Sequence, residues 1–173
     1  MEKIYHYHIS KRIIYTTAIY ALVFIGITIV LALAFDGGYI SAWFISLILA
    51  LLALMTLSTP RRIVVDEEGI EIQCIAKDIT LAYEDITNVQ RVDSLKMASS
   101  LPLLGAVGFL GHYGKFLNLR TMELVYIYAS EWGNFVEITD AEENKYYIAC
   151  EGSEVLLSDI EKALQRNTTK ESN

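Results

Sequence analysis

Apolar and polar positions follow two different rhythms along this chain. From Ile13 to Thr59 apolar residues run almost unbroken, interrupted once at Asp36-Gly37-Gly38-Tyr39. Neither arm, 13–35 or 39–59, contains Asp, Glu, Lys or Arg apart from that break. A bilayer core of about 30 Å takes about 20 apolar residues to cross as a helix. Each arm has that length, so the pattern predicts a transmembrane hairpin with two antiparallel helices. The first arm is longer than the about 7–15 apolar residues of a secretory signal, and it reads as a span. Thr59-Pro60 closes the second helix, because proline disfavours helical backbone in the residue before it.

After Pro60 the period shortens to two. Ile70, Ile72 and Cys74 alternate with Glu71 and Gln73, the mark of a half-buried strand. Strands are expected at 62–66, 70–74, 78–83, 86–92, 122–129, 134–139 and 145–149. Asp66-Glu-Glu-Gly69, Glu131-Trp-Gly-Asn134 and Asp140–Asn144 supply turns of ordinary hairpin length. The chain then returns to helix. Ser153 is the expected N-cap, Glu154 suits the first turn, and Leu156, Ile160, Ala163 and Leu164 form one apolar face. Residues 167–173 read as a polar tail. Residues 1–12 read as a short juxtamembrane lead whose Tyr5 and Tyr7, with Tyr15, suit the headgroup level.

Charge divides the chain at the same place. Residues 1–62 hold five Lys or Arg and two Asp or Glu, a balance of +3; the remainder holds 9 and 19, a balance of −10. A domain this acidic lacks the clustered cations that bind nucleic acid. Lys11 and Arg12 precede the first arm, Arg61 and Arg62 follow the second, and the turn carries only an acid. The bias of Lys and Arg towards the cytoplasm then puts both termini there, in an inner-membrane protein with two spans.

Candidate chemistry is sparse. His6-x-His8 has no third ligand nearby, two cysteines cannot build a zinc site of four thiolates, and the acidic turns read as solvated. No nucleophile-elbow, zinc-protease, phosphate-loop or CxxC motif is present. No catalytic residue, metal or cofactor is expected. The one unusual stretch is Ser94–Thr121, too long for an ordinary connection. It contains no acid, and glycine recurs at 105, 108, 111 and 114. Such spacing disfavours helix and suits a compact irregular loop. Two readings stay open: a loop packed over the core, or a surface touching lipid headgroups, the helical hairpin or a partner. Lys96, Phe109, His112, Tyr113, Lys115, Phe116 and Arg120 are the candidate contacts, with His112 joining the cations below neutral pH. Three permanent cations are too few for specific phosphoinositide recognition.

Seven antiparallel strands and a closing helix have the layout of a pleckstrin-homology-type barrel. The run Gly105-x-x-Gly108-Phe-Leu-Gly111-His-Tyr-Gly114-Lys-Phe116, then Tyr126-Ile-Tyr-Ala129, Val136-x-Ile138, Lys145-Tyr-Tyr-Ile148 and the last helix resemble the bacterial PH-like domains over about 61–166. That resemblance implies a PH-like fold on a membrane anchor and no enzymatic activity. The expected protein is a tethered interaction or scaffolding module that binds a protein partner or itself. The alternative is a subunit or sensor whose helices dock on another membrane protein. The orientation has a direct check. A reporter fused after Asn173 should work only if it is the kind active in the cytoplasm, and activity of a periplasm-specific reporter would reverse the topology.

Overall fold

The computed structural model describes residues 3–35 and 38–171, the last four by backbone alone. Asp36 and Gly37 of the expected tight turn lie outside the described residues, as do Met1, Glu2, Ser172 and Asn173 at the ends of the lead and tail. The chain opens with β1 (Lys3–His6), followed by α1 (Lys11–Ala34) and α2 (Tyr39–Leu57). Ser10 caps α1, its hydroxyl accepting from the Ile13 amide. Both helices are long and apolar enough to cross a membrane, and their apolar residues point mostly outward.

The strands β2 (Pro60–Val65), β3 (Gly69–Cys74), β4 (Asp78–Ala82) and β5 (Ile86–Val92) follow at once. After the single-turn α3 (Ser94–Met97) come β6 (Ser100–Val107), β7 (His112–Asn118), β8 (Glu123–Ala129), β9 (Phe135–Asp140) and β10 (Lys145–Ala149). The chain closes on α4 (Ser153–Glu171). The strands form two sheets, ordered β1-β2-β3-β4 and β5-β9-β10-β8-β7-β6.

All seven expected strands form, but the seven-stranded antiparallel barrel does not. Among the described residues there are ten strands in two sheets that do not close on each other, and β8 and β10 pair in parallel. The lead contributes β1, which pairs antiparallel with β2, so Lys3–His6 is an edge strand rather than juxtamembrane decoration. The expected loop 94–121 is largely the β6–β7 hairpin. Gly108 and Gly111 bound its turn at φ of 78° and 137°, and the other two glycines lie in the strands. Gly105 and Gly114 face each other across the two strands at φ of 154° and 114°. A Cβ on either would meet the opposite backbone at 2.0 or 2.1 Å, so only glycine permits this approach.

Two apolar clusters hold the sheets. The larger gathers Ile63, Val65, Ile70, Ile72 and Leu81 from the first sheet with Tyr113, Tyr128, Ile138 and Ile148 from the second, and Leu156 and Ile160 of α4 close it. Leu52 and Met55 of α2 pack against the same cluster. The smaller lies on the other face of the six-stranded sheet, around Met97, Phe116, Phe135 and Tyr147. The α4 stripe is therefore where the four-residue spacing put it, and the helix continues to Glu171 through the expected tail. Its start differs by one residue. Ser153 is the first helical residue, its hydroxyl accepting from the Cys150 amide and donating to the Cys150 carbonyl, while Gly152 at φ 86° supplies the carbonyl that receives the first helical amides.

Candidate functional site

The two halves of the molecule meet where α2 ends and α1 begins. The last four carbonyls of any helix have no partner inside it. Those of α2 are all satisfied. Leu54 accepts from the Ser58 amide at 3.1 Å, and Thr56 from the Thr59 amide at 3.2 Å. The other two draw on the sheets. Met55 accepts from Tyr113 Oη of β7 at 2.5 Å as well as from Thr59 Oγ1 at 3.3 Å, and Leu57 accepts from the Ala76 amide, just past β3, at 3.0 Å. One residue on, the Thr59 carbonyl accepts from the Ile75 amide at 3.2 Å.

The α1 side is tied through the β6–β7 turn. Thr17 Oγ1 accepts from the Leu110 amide at 2.9 Å. Its proton is shared between the Ile13 carbonyl at 2.8 Å and the Gly108 carbonyl at 3.3 Å. Gly108 itself lies against Thr16 and the Tyr20 ring. Between β1 and α1, buried Tyr7 donates through its hydroxyl to the Ala129 carbonyl. Gly111 makes room for it, since a Cβ there would fall 1.7 Å from that hydroxyl oxygen. A buried donor or acceptor that loses its partner costs about 1–3 kcal/mol. The junction therefore contributes substantially to holding hairpin and sheets together.

An open cleft of about 890 Å³ flanks the junction, lined by His6, Tyr7, Thr59, Arg61, Arg62, Gln73, Cys74, Asp78 and Leu110. Arg62 donates to Gln73, which donates to Glu71 at 2.7 Å. A second cavity of about 220 Å³ lies between β1, the β2–β3 turn and α4. There Asp159 accepts from Lys3 at 2.7 Å and from the Tyr5 hydroxyl. The Lys3 hydrogen bond holds its carboxyl below the usual range.

The seven candidate contacts are scattered. Phe109 and Tyr113 lie in the larger core and Phe116 in the smaller, all buried. Packing claims Tyr113 and Phe116 because β7 lies between the two clusters and buries residues on both faces, and Phe109 packs from the β6–β7 turn. Lys96 pairs with Glu137 at 3.4 Å, while Lys115 lies over the Tyr126 ring and is exposed, as is Arg120. Burial pushes His112 down to about 4, with nearby Arg12 adding to the effect, so it does not join the cations just below neutral pH. Its ring packs edge-on to Trp132 at 4.9 Å, and among the described residues its Nδ1 has no partner. Sequence reasoning missed Thr17 and Tyr7, whose partners are 91 and 122 residues away.

The cysteines are free, and burial raises both to about 11, which leaves protonated, unreactive thiols. Among the described residues no three His, Cys, Asp or Glu side chains gather as a metal site would require. The arrangement joins the hairpin to the sheets and positions them.

A family model described as Bacterial PH domain matches residues 61–164. No curated protein and no solved structure matches the chain.

The His112 environment predicts a pH dependence. Unfolded, the imidazole protonates near its ordinary value of 6.5; folded, it resists until about 4. Between those values the unfolded state binds more protons, so stability falls as pH drops through that window. His112→Phe keeps a ring against Trp132 and should flatten the fall in thermal midpoint between pH 6.5 and 4. An unchanged slope would assign the titration to another group.

Proposed function

The chain belongs to the bacterial PH domain family, and on that premise we propose that it is a membrane-tethered, non-enzymatic interaction module. It sits on the cytoplasmic face of the inner membrane and binds a protein partner or a second copy of itself. Lys11, Arg12, Arg61 and Arg62 support the orientation, and the pairing of His6 with Arg62 keeps the lead and the sheets on one side of the hairpin.

The open six-stranded sheet is the observation that carries this reading. Its outer strands β5 and β6 each have a strand neighbour on one side only. An exposed edge accepts an added strand through main-chain hydrogen bonds, with side-chain pockets supplying selectivity. Pro102 and the irregularity between Pro102 and Leu104 make β6 a poor template. The strand β5 has no proline, and Thr87, Asn88 and Gln90 are exposed along it, while Arg91 bonds Glu154 of α4 at 2.7 Å. It is the better edge for a partner.

Photo-crosslinking in membranes tests the proposal. A photoreactive residue at Asn88 should give a discrete adduct, and one at Val30 on the outer surface of α1 should give none. Adducts from Val30 alone would replace this reading with the other one, a subunit whose helices dock on another membrane protein.

A further inference from the structure

The strand β6 is unusual for the edge of a sheet that faces water. Leu101, Leu103, Leu104 and Val107 are exposed along it, Leu104 by 71%, and Met122 and Leu124 extend the patch across the end of β7 into β8. An apolar edge of this kind invites aggregation in water and is normally blunted by charge or covered. Pro102 and the adjacent irregularity discourage strand addition, yet the leucines remain exposed. Leu101, Leu117 and Leu124 stand opposite one another on three successive strands, so the patch has breadth. Its charged neighbours are cations: Lys115 is opposite Leu104, and Arg120 lies in the β7–β8 turn. No acid occurs between Asp93 and Glu123, and Glu123 is paired with Lys145 at 2.6 Å.

The same strand runs into the turn that Thr17 holds. Thr17 is five residues past Arg12, about 8 Å along the helix at 1.5 Å per residue. If α1 spans, that depth is the boundary between headgroups and acyl chains. The turn is suited to it in part, since the Gly108 amide donates to the Gly111 carbonyl and Thr17 Oγ1 accepts from the Leu110 amide, so these groups need no water. The Val107 end of the patch thus adjoins α1.

We infer that β6 lies against the bilayer surface, its leucines entering the headgroup–acyl boundary and Lys115 and Arg120 facing anionic headgroups. The strand backbone stays at headgroup depth, where water completes its open edge, because an unpaired edge is excluded from the hydrocarbon. Apolar side chains with flanking cations are what an anionic lipid surface recognises. The sheet domain is then held to the membrane at β6 as well as through its helices, which leaves β5 at the opposite edge of the sheet. This rests on the membrane-tethered reading above.

Spin labelling of the full chain in vesicles of mixed phosphatidylglycerol and phosphatidylethanolamine separates the two claims. With both native cysteines replaced by alanine, labels go at Leu104→Cys and Met122→Cys, at Val23→Cys within α1, and at Glu142→Cys in the β9–β10 turn. The ratio of collisions with oxygen to collisions with a water-soluble nickel complex is then read at each. Labels at Val23, Leu104 and Met122 should all exceed Glu142 severalfold. Lipid-like Val23 with water-like Leu104 and Met122 would overturn the inference and leave the tether intact. Shielding of Leu104 and Met122 from both reagents would overturn it in favour of a protein or a second copy covering the strand. A water-like Val23 would sink the tethered reading itself.

Discussion

The last four carbonyls of a helix find no partner inside it. In this protein the sheets supply donors for two of them, Tyr113 Oη for Met55 and the Ala76 amide for Leu57. The missing linker after Thr59 follows from that arrangement. With β2 beginning at Pro60, the chain turns back at once and brings Ile75 and Ala76 beside the helix end. A flexible spacer would leave the Leu57 carbonyl dependent on water, the Met55 carbonyl with the Thr59 hydroxyl alone, and the Tyr113 hydroxyl without its acceptor.

The rest of the architecture is consistent with one fixed body. The chain forms β1 before it enters the helices, and β1 then pairs with β2 after the chain has come out of them. Hairpin and sheets are therefore interleaved in sequence, not strung one after the other. Leu52 and Met55 extend the main core into the helical pair, and Thr17 fixes the β6–β7 turn against α1. Lys3 and Tyr5 bond Asp159 and so link the first strand to the last helix. A chain built this way holds its sheet edges at a set height and angle to the helices.

Much of this was legible in the sequence because the periods were clean. The two apolar arms and the α4 stripe could be assigned to the right elements from residue spacing alone. Alternation was visible in 70–74 because one face of that strand is buried and the other is polar. It failed for β7, where Tyr113 and Phe116 enter different cores, and for β6, where the irregularity between Pro102 and Leu104 breaks the alternation. The glycines drew attention to the hairpin, but the facing of Gly105 and Gly114 is a cross-strand fact that a linear period does not encode. The site was harder still. Phe109 and Tyr113 looked like contact residues because apolar side chains beside glycine and lysine suit a surface loop as well as a core. Thr17 carried no signal at all, being a small polar residue in an apolar helix whose partner lies in a distant turn.

The fixed union of hairpin and sheets is the central claim, and a distance distribution across the junction tests it. Spin labels at Val30→Cys on α1 and Glu142→Cys in the β9–β10 turn, with the native cysteines replaced, report that distance by pulsed electron resonance in lipid vesicles. One narrow distribution is predicted. A broad distribution would contradict the account, because it would mean that the sheets move freely about the residues after Thr59.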